Sequence, residues 1–130
     1  MRKSSLLYTA FGLMVALGTL HFVAEAFYFY WIFWWYDIMM HLLAGLVGGL
    51  LIVWFARPDS FLKSIFFAIV CMLAIGIVWE VFEYVYHIAQ TSDYWQDTTL
   101  DLIADVVGAA LACFYASEQR PKSSLESPDI

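Results

Sequence analysis

Trp95-Gln96-Asp97-Thr98-Thr99-Leu100-Asp101-Leu102-Ile103-Ala104-Asp105-Val106-Val107-Gly108 places three aspartates four residues apart, then runs apolar through Leu111, Ala112 and Phe114 to Tyr115. Residues i, i+4 and i+8 stack on one face of an α-helix, so Asp97, Asp101 and Asp105 form a row. The helix that carries the row is greasy enough to lie in a bilayer. Carboxylates are costly there unless something pairs with them. The chain therefore reads as a membrane helix bundle with a polar site, and the remaining segments are searched for the partners of this row.

Composition agrees. The chain has 130 residues, of which 63% are hydrophobic and only 14% charged, with a mean hydropathy of +0.75. Globular domains are roughly 45–50% apolar. A net charge of −6 with six Lys and Arg leaves no basic footprint for nucleic acid. Cys71 and Cys113 lie inside apolar runs without CxxC spacing and read as packed free thiols.

Four apolar segments, about 6–26, 37–56, 61–87 and 98–116, each approach the ~20 helical residues that cross a bilayer core. The fold class is thus all-α, an integral membrane four-helix bundle in a single domain over 1–116, followed by a polar tail over 117–130 that reads as disordered. The first segment has a rival reading. Arg2-Lys3, an apolar centre and Ala24-Glu25-Ala26 together resemble a cleavable signal peptide. The long apolar run and His21 within it favour a retained helix. All six basic residues (Arg2, Lys3, Arg57, Lys63, Arg120 and Lys122) fall at the same end of the helices, which places both termini and the Arg57 turn in the cytoplasm of an inner-membrane protein. The aromatic connection Phe27–Tyr36 reads as an interfacial belt, or as a lipid-binding platform over the site. Gly45-x-x-x-Gly49 and Gly108-x-x-x-Ala112 allow close helix approach, within the bundle or in a homo-oligomer joined through Gly45 and Gly49.

On this topology the ionisable residues gather at the outer end. His21 and Glu25 close the first helix, Asp37 and His41 open the second, Glu80, Glu83 and His87 end the third, and the aspartate row opens the fourth. At 1.5 Å per residue, His41, Glu80, Glu83 and Asp101 lie within about 10 Å of the outer boundary. Of the twelve acidic residues, only Asp59, Glu118, Glu126 and Asp129 belong to the other side, and no Lys or Arg accompanies the rest. Crowded carboxylates in a low dielectric must be protonated or neutralised by a cation. Carboxylates with imidazole and no thiolate suit Zn, Mn, Fe or Mg, and their number would admit two ions. The expected ligands are Asp37, His41, Glu80, Asp101 and Asp105, with Glu83 as a general base. His21 reads as structural, His87 and Asp97 as wet boundary residues, and Glu25 and Asp93 as solvated. Asp37 and Asp97 also suit helix N-termini.

Asp37-x-x-x-His41-x-x-x-Gly45, Trp79-Glu80-x-x-Glu83 and Asp97-Thr98-x-x-Asp101-x-x-x-Asp105-x-x-Gly108-Ala109 resemble the VanZ-like superfamily of small bacterial membrane proteins, closest to its YjdF-like inner-membrane branch. The resemblance spans residues 37–109 and implies a compact helical membrane domain with its motif residues gathered between helices, and envelope or cell-surface chemistry. The chain departs from the VanZ pattern at Glu83 and Asp105, where Gln and Asn are common, and lacks an Arg before the last motif.

Several functions fit these residues. One is a metal-dependent hydrolase of lipid or lipid-linked envelope substrates, with membrane lipid around it. Another is an ion- or proton-binding transport component, against which stands the absence of ionisable groups, apart from Lys63, in the cytoplasmic halves of the helices. A third is a haem protein using two of His21, His41 and His87, for which the carboxylates make a poor pocket. The last is a non-catalytic accessory protein whose acids form a stabilising hydrogen-bond network.

Overall fold

The computed structural model describes residues 3–88 and 93–119. The chain forms α1 (Lys3–Phe27), a single turn α2 (Phe29–Ile32), α3 (Tyr36–Ala56), α4 (Phe61–Tyr86) and α5 (Tyr94–Glu118). Four of these helices, α1, α3, α4 and α5, are long and apolar enough to cross a membrane. At ~1.5 Å per residue even the shortest, α3, spans about 31 Å. Most of the tail, residues 120–130, and the centre of the α4–α5 connection, residues 89–92, lie outside the described residues.

The ends of the helices follow local chemistry. α5 begins at Tyr94, four residues before the expected start at 98, because the Asp93 side chain accepts from the Gln96 N–H at 3.4 Å and caps the first turn. Ser60 caps α4 in the same way, accepting from the Lys63 N–H at 3.3 Å. α3 stops where Arg57 turns left-handed (φ 49°) and its N–H returns to the Val53 carbonyl, with Pro58 next to prevent continuation. α4 stops one residue before the expected 87. His87 is left-handed (φ 53°), its N–H bonds the Tyr84 carbonyl, and the Ile88 N–H bonds the Glu83 carbonyl. In the Arg57–Ser60 turn, Lys63 donates to Asp59 at 2.8 Å and holds that carboxyl below the usual carboxylate range. The aromatic connection is not a plain loop. Tyr28 in the left-handed region (φ 61°) starts the α2 turn, whose rings stack on Tyr36.

The packing is layered from end to end. α3 lies centrally against α1, α4 and α5, and its tightest partner is α5. At the end nearer the Arg57 turn the core is apolar and built from small residues: Ala68, Ala109, Ala112 and Ala116 are buried around Leu50, Val53 and Cys113. Cys113 is buried and Cys71 half-buried, and both are free thiols. At the opposite end a smaller cluster joins Ala24 of α1 to Tyr36 and Met40 of α3. Between these layers the interior is polar. Large apolar side chains such as Phe22, Phe55, Phe66, Val78 and Ile103 point outward instead, where a bilayer would cover them.

Glycines fix the α3–α5 register. A Cβ on Gly45 would collide with the Asp105 carbonyl oxygen, and one on Gly108 with the Leu42 carbonyl oxygen. A Cβ on Gly49 would stand 2.8 Å from Ala109 Cα. Backbones touch at these points, as small residues permit in lipid. The Gly45/Gly49 motif is therefore consumed inside the chain. Both glycines are buried against α5.

Candidate functional site

Three helices meet at the polar layer. α3 contributes Asp37 and His41 from its first two turns. α4 contributes Glu80 and Glu83 from its last two, and α5 contributes Asp101 and Asp105. On α5 the acids extend a stripe of buried small residues, Ala104, Gly108, Ala109, Ala112 and Ala116, so the face that packs on α3 is the face that carries the acids. This is why Asp101 and Asp105 are 1% and 3% exposed although each is ionisable.

His41 is the hub. Its Nδ1 lies 3.3 Å from each carboxylate oxygen of Asp105. A proton on Nδ1 would bond that carboxylate, and Nε2 faces the other way. Nε2 faces Asp37 Oδ1 and Asp101 Oδ2, each at 3.9 Å. These two distances exceed a hydrogen bond, whose N···O separation is about 2.7–3.2 Å. They match the spacing of two donors on one divalent ion, since bonds of about 2.0–2.2 Å put donor pairs roughly 3–4.4 Å apart. One ligand atom from each of Asp37, His41 and Asp101 lies within 4.8 Å of the other two, so these are the residues that could hold a metal ion.

The expected five-residue ligand set thus divides. Asp37, His41 and Asp101 converge. Asp105 sits behind the imidazole, 3.3 Å from the other ring nitrogen, and lies outside that group of three. Glu80 is 5% exposed and anchored by the Thr98 hydroxyl, which donates to Oε2 at 2.7 Å. The Tyr94 hydroxyl reaches the Glu80 carbonyl at 3.4 Å and ties the start of α5 to α4. Glu83 is half-buried, in electrostatic reach of Asp37, Glu80 and His41. Asp97 is half-buried at the mouth. Among the described residues, the buried side-chain oxygens without a hydrogen-bond partner are Glu80 Oε1 and Asp101 Oδ1.

The first helix stays out of the site, as the expected ligand set on the other three long helices implied. His21 and Glu25 are exposed. His21 Nδ1 pairs with the Tyr30 hydroxyl at 2.9 Å, the structural role expected of it. Tyr30 is half-buried, in electrostatic reach of Asp37 and Glu83. Burial, and then the nearby Asp37 carboxylate, pushes its phenol well above the ordinary value and keeps it protonated.

Sequence reasoning missed Thr98 as the partner of Glu80, and it missed Gly76. A Cβ on Gly76 would stand 2.7 Å from Asp105 Oδ2, so the bare backbone of α4 makes room for the carboxylate that holds His41. A signal existed for Gly76: it is the single glycine within α4, at a position where glycine weakens a helix. Thr98 carried none, because threonine beside a helix start has an ordinary capping explanation.

No curated protein and no solved structure matches the chain. Residues 1–122 match the family described as "Predicted membrane protein (DUF2238)". With nearly the whole chain covered, four helices fit to span a bilayer and a polar layer between them, the protein belongs to the DUF2238 family of membrane proteins.

Proposed function

We propose that this is a divalent-cation-binding membrane protein whose ion sits between Asp37, His41 and Asp101. The carrying observation is the pair of 3.9 Å approaches to His41 Nε2, too long for hydrogen bonds and suited to a shared ion. Three protein ligands leave coordination positions open, which is the arrangement of catalytic rather than purely structural ions. With Glu83 half-buried nearby as the base for an ion-bound water, the site suits hydrolysis of a lipid or lipid-linked substrate. Zn, Mn and Fe fit the mixed nitrogen and oxygen donors better than Mg, which favours oxygen. The resemblance of residues 37–109 to the YjdF-like branch of the VanZ-like superfamily bears on the fold and the gathering of these residues rather than on the reaction. A non-catalytic accessory role is the second reading. The Asp105–His41 and Thr98–Glu80 bonds favour it, because such links also build a purely structural network.

The test is metal content. The chain, purified in mild detergent without chelator, is expected to carry Zn, Mn or Fe by elemental mass spectrometry. An Asp37→Asn/Asp101→Asn variant that remains folded is expected to carry none. A folded parent that stays metal-free after each ion is offered would refute the proposal and leave the accessory reading.

The proposed orientation puts the site at the outer face of the inner membrane. Its support is the placement of Arg57 and Lys63 at the end of the bundle opposite Asp37 and Glu80. A reporter enzyme active only outside the cytoplasm, fused after Ile130, is expected to be inactive. An active fusion would invert the assignment.

A further inference from the structure

We propose that Glu80 and Asp101 hold a second divalent cation beside the first, with the Asp101 carboxylate bridging the two. This rests on the reading that Asp37, His41 and Asp101 bind the first. Asp101 directs Oδ2 toward His41 Nε2, and its other oxygen, Oδ1, is buried with no partner. Glu80 spends Oε2 on the Thr98 hydroxyl at 2.7 Å, and its Oε1 is likewise buried and unpartnered. The two residues are 1% and 5% exposed. A buried carboxylate oxygen without a donor is costly, and two such oxygens in one polar layer call for a shared counter-charge. Thr98, whose hydroxyl holds Glu80, lies three residues before Asp101 on α5, so the Glu80 carboxylate is held beside the turn that carries Asp101.

Charge leads to the same place. Asp37, Glu80, Asp101 and Asp105 supply four carboxylates around one imidazole, and no Lys or Arg stands on this half of the bundle. Glu83 and Asp97 are half-buried beside them, so one divalent ion leaves most of this acidic charge unbalanced and a second offsets more of it. A carboxylate that uses one oxygen on each ion holds a pair about 3.5–4 Å apart, the spacing of two-metal centres. Thr98 has a positioning role here. By occupying Oε2 it leaves Oε1 as the free ligand atom of Glu80.

The experiment loads the full chain in detergent with Mn²⁺, removes excess ion, and reads stoichiometry by elemental mass spectrometry and ion–ion coupling by electron paramagnetic resonance. The parent is expected to bind about two equivalents with an exchange-coupled spectrum. Folded Glu80→Gln is expected to bind about one, with the spectrum of an isolated ion. Thr98→Val is expected to weaken the second equivalent and spare the first. If the parent binds a single ion whose spectrum Glu80→Gln leaves unchanged, the second site is overturned and the first stands. Binding of none overturns both. Loss of all metal in folded Glu80→Gln also overturns the second site, because Glu80 would then belong to the first ion. The coupling seen in the parent needs no variant, so a Glu80→Gln chain that fails to fold does not block the decision.

Discussion

Gly45→Ala is expected to destroy the folded bundle, although it adds one methyl group. The new Cβ would lie on the Asp105 carbonyl oxygen, 2.8 Å from Asp105 C and Cα. These are backbone atoms of a helix, so no side-chain rotation can relieve the clash. Overpacking a core costs roughly 1–3 kcal/mol when side chains can adjust. Here α3 and α5 must separate along the crossing that Gly49, Gly108 and Ala109 share, so the cost should exceed about 3 kcal/mol, a large part of a typical domain's stability of ~5–15 kcal/mol. The same separation would draw Asp105 from His41 and cancel metal binding. Gly12→Ala is the control. Nothing lies within 4 Å of its added Cβ, and alanine there should stabilise α1 by up to about 1 kcal/mol. Thermal unfolding in detergent with size-exclusion profiles checks both. A Gly45→Ala chain as stable as the Gly12→Ala chain would mean that the α3–α5 crossing described here is wrong.

Asp101→Asn is expected to change stability in opposite directions with and without metal. In excess chelator the parent keeps a nearly wholly buried carboxylate among Asp37, Glu80 and His41 with one oxygen unpartnered. An amide there is uncharged at any pH and can donate to a neighbouring carboxylate, so it should stabilise the chain by about 0.5–1.5 kcal/mol. In metal at about 100 times its dissociation constant the parent gains ~2.7 kcal/mol, and the variant, which has lost a ligand, gains little. The order of the unfolding midpoints should therefore reverse when Zn or Mn is added. Glu83→Gln should respond to metal as the parent does, because Glu83 is placed as a base and not as a ligand. A purely structural network predicts the same Asp101→Asn effect under both conditions, and that outcome would sink the metal reading.

Much of this protein is local and therefore legible in its chain. The helices follow from apolar length, since a backbone in lipid must satisfy its own hydrogen bonds. The Asp97/Asp101/Asp105 row and the Asp37/His41 pair follow from the helical repeat, which puts residues four apart on one face whatever surrounds them. That several acids share a depth follows from counting along antiparallel helices. The early start of α5 was also local, but Asp93 lies outside the apolar run and was passed over as a solvated acid.

The composition of the site is a different kind of fact. Whether Asp105 is a ligand or an orienting partner depends on which ring nitrogen it meets, and that is set by the rotation of α3 against α5. No periodicity encodes that rotation. It is decided where backbones touch, at Gly45, Gly49 and Gly108. The pairing of Thr98 with Glu80, the space left by Gly76 for Asp105 and the exclusion of His21 are likewise consequences of interhelical register. Residue order and helical spacing are enough to place a cluster of carboxylates and histidine in one half of a helical membrane protein. That Asp37, His41 and Asp101 face one point while Asp105 stands behind follows from the packing of α3 on α5, because contacts between helices depend on close approach across the chain and not on spacing along it.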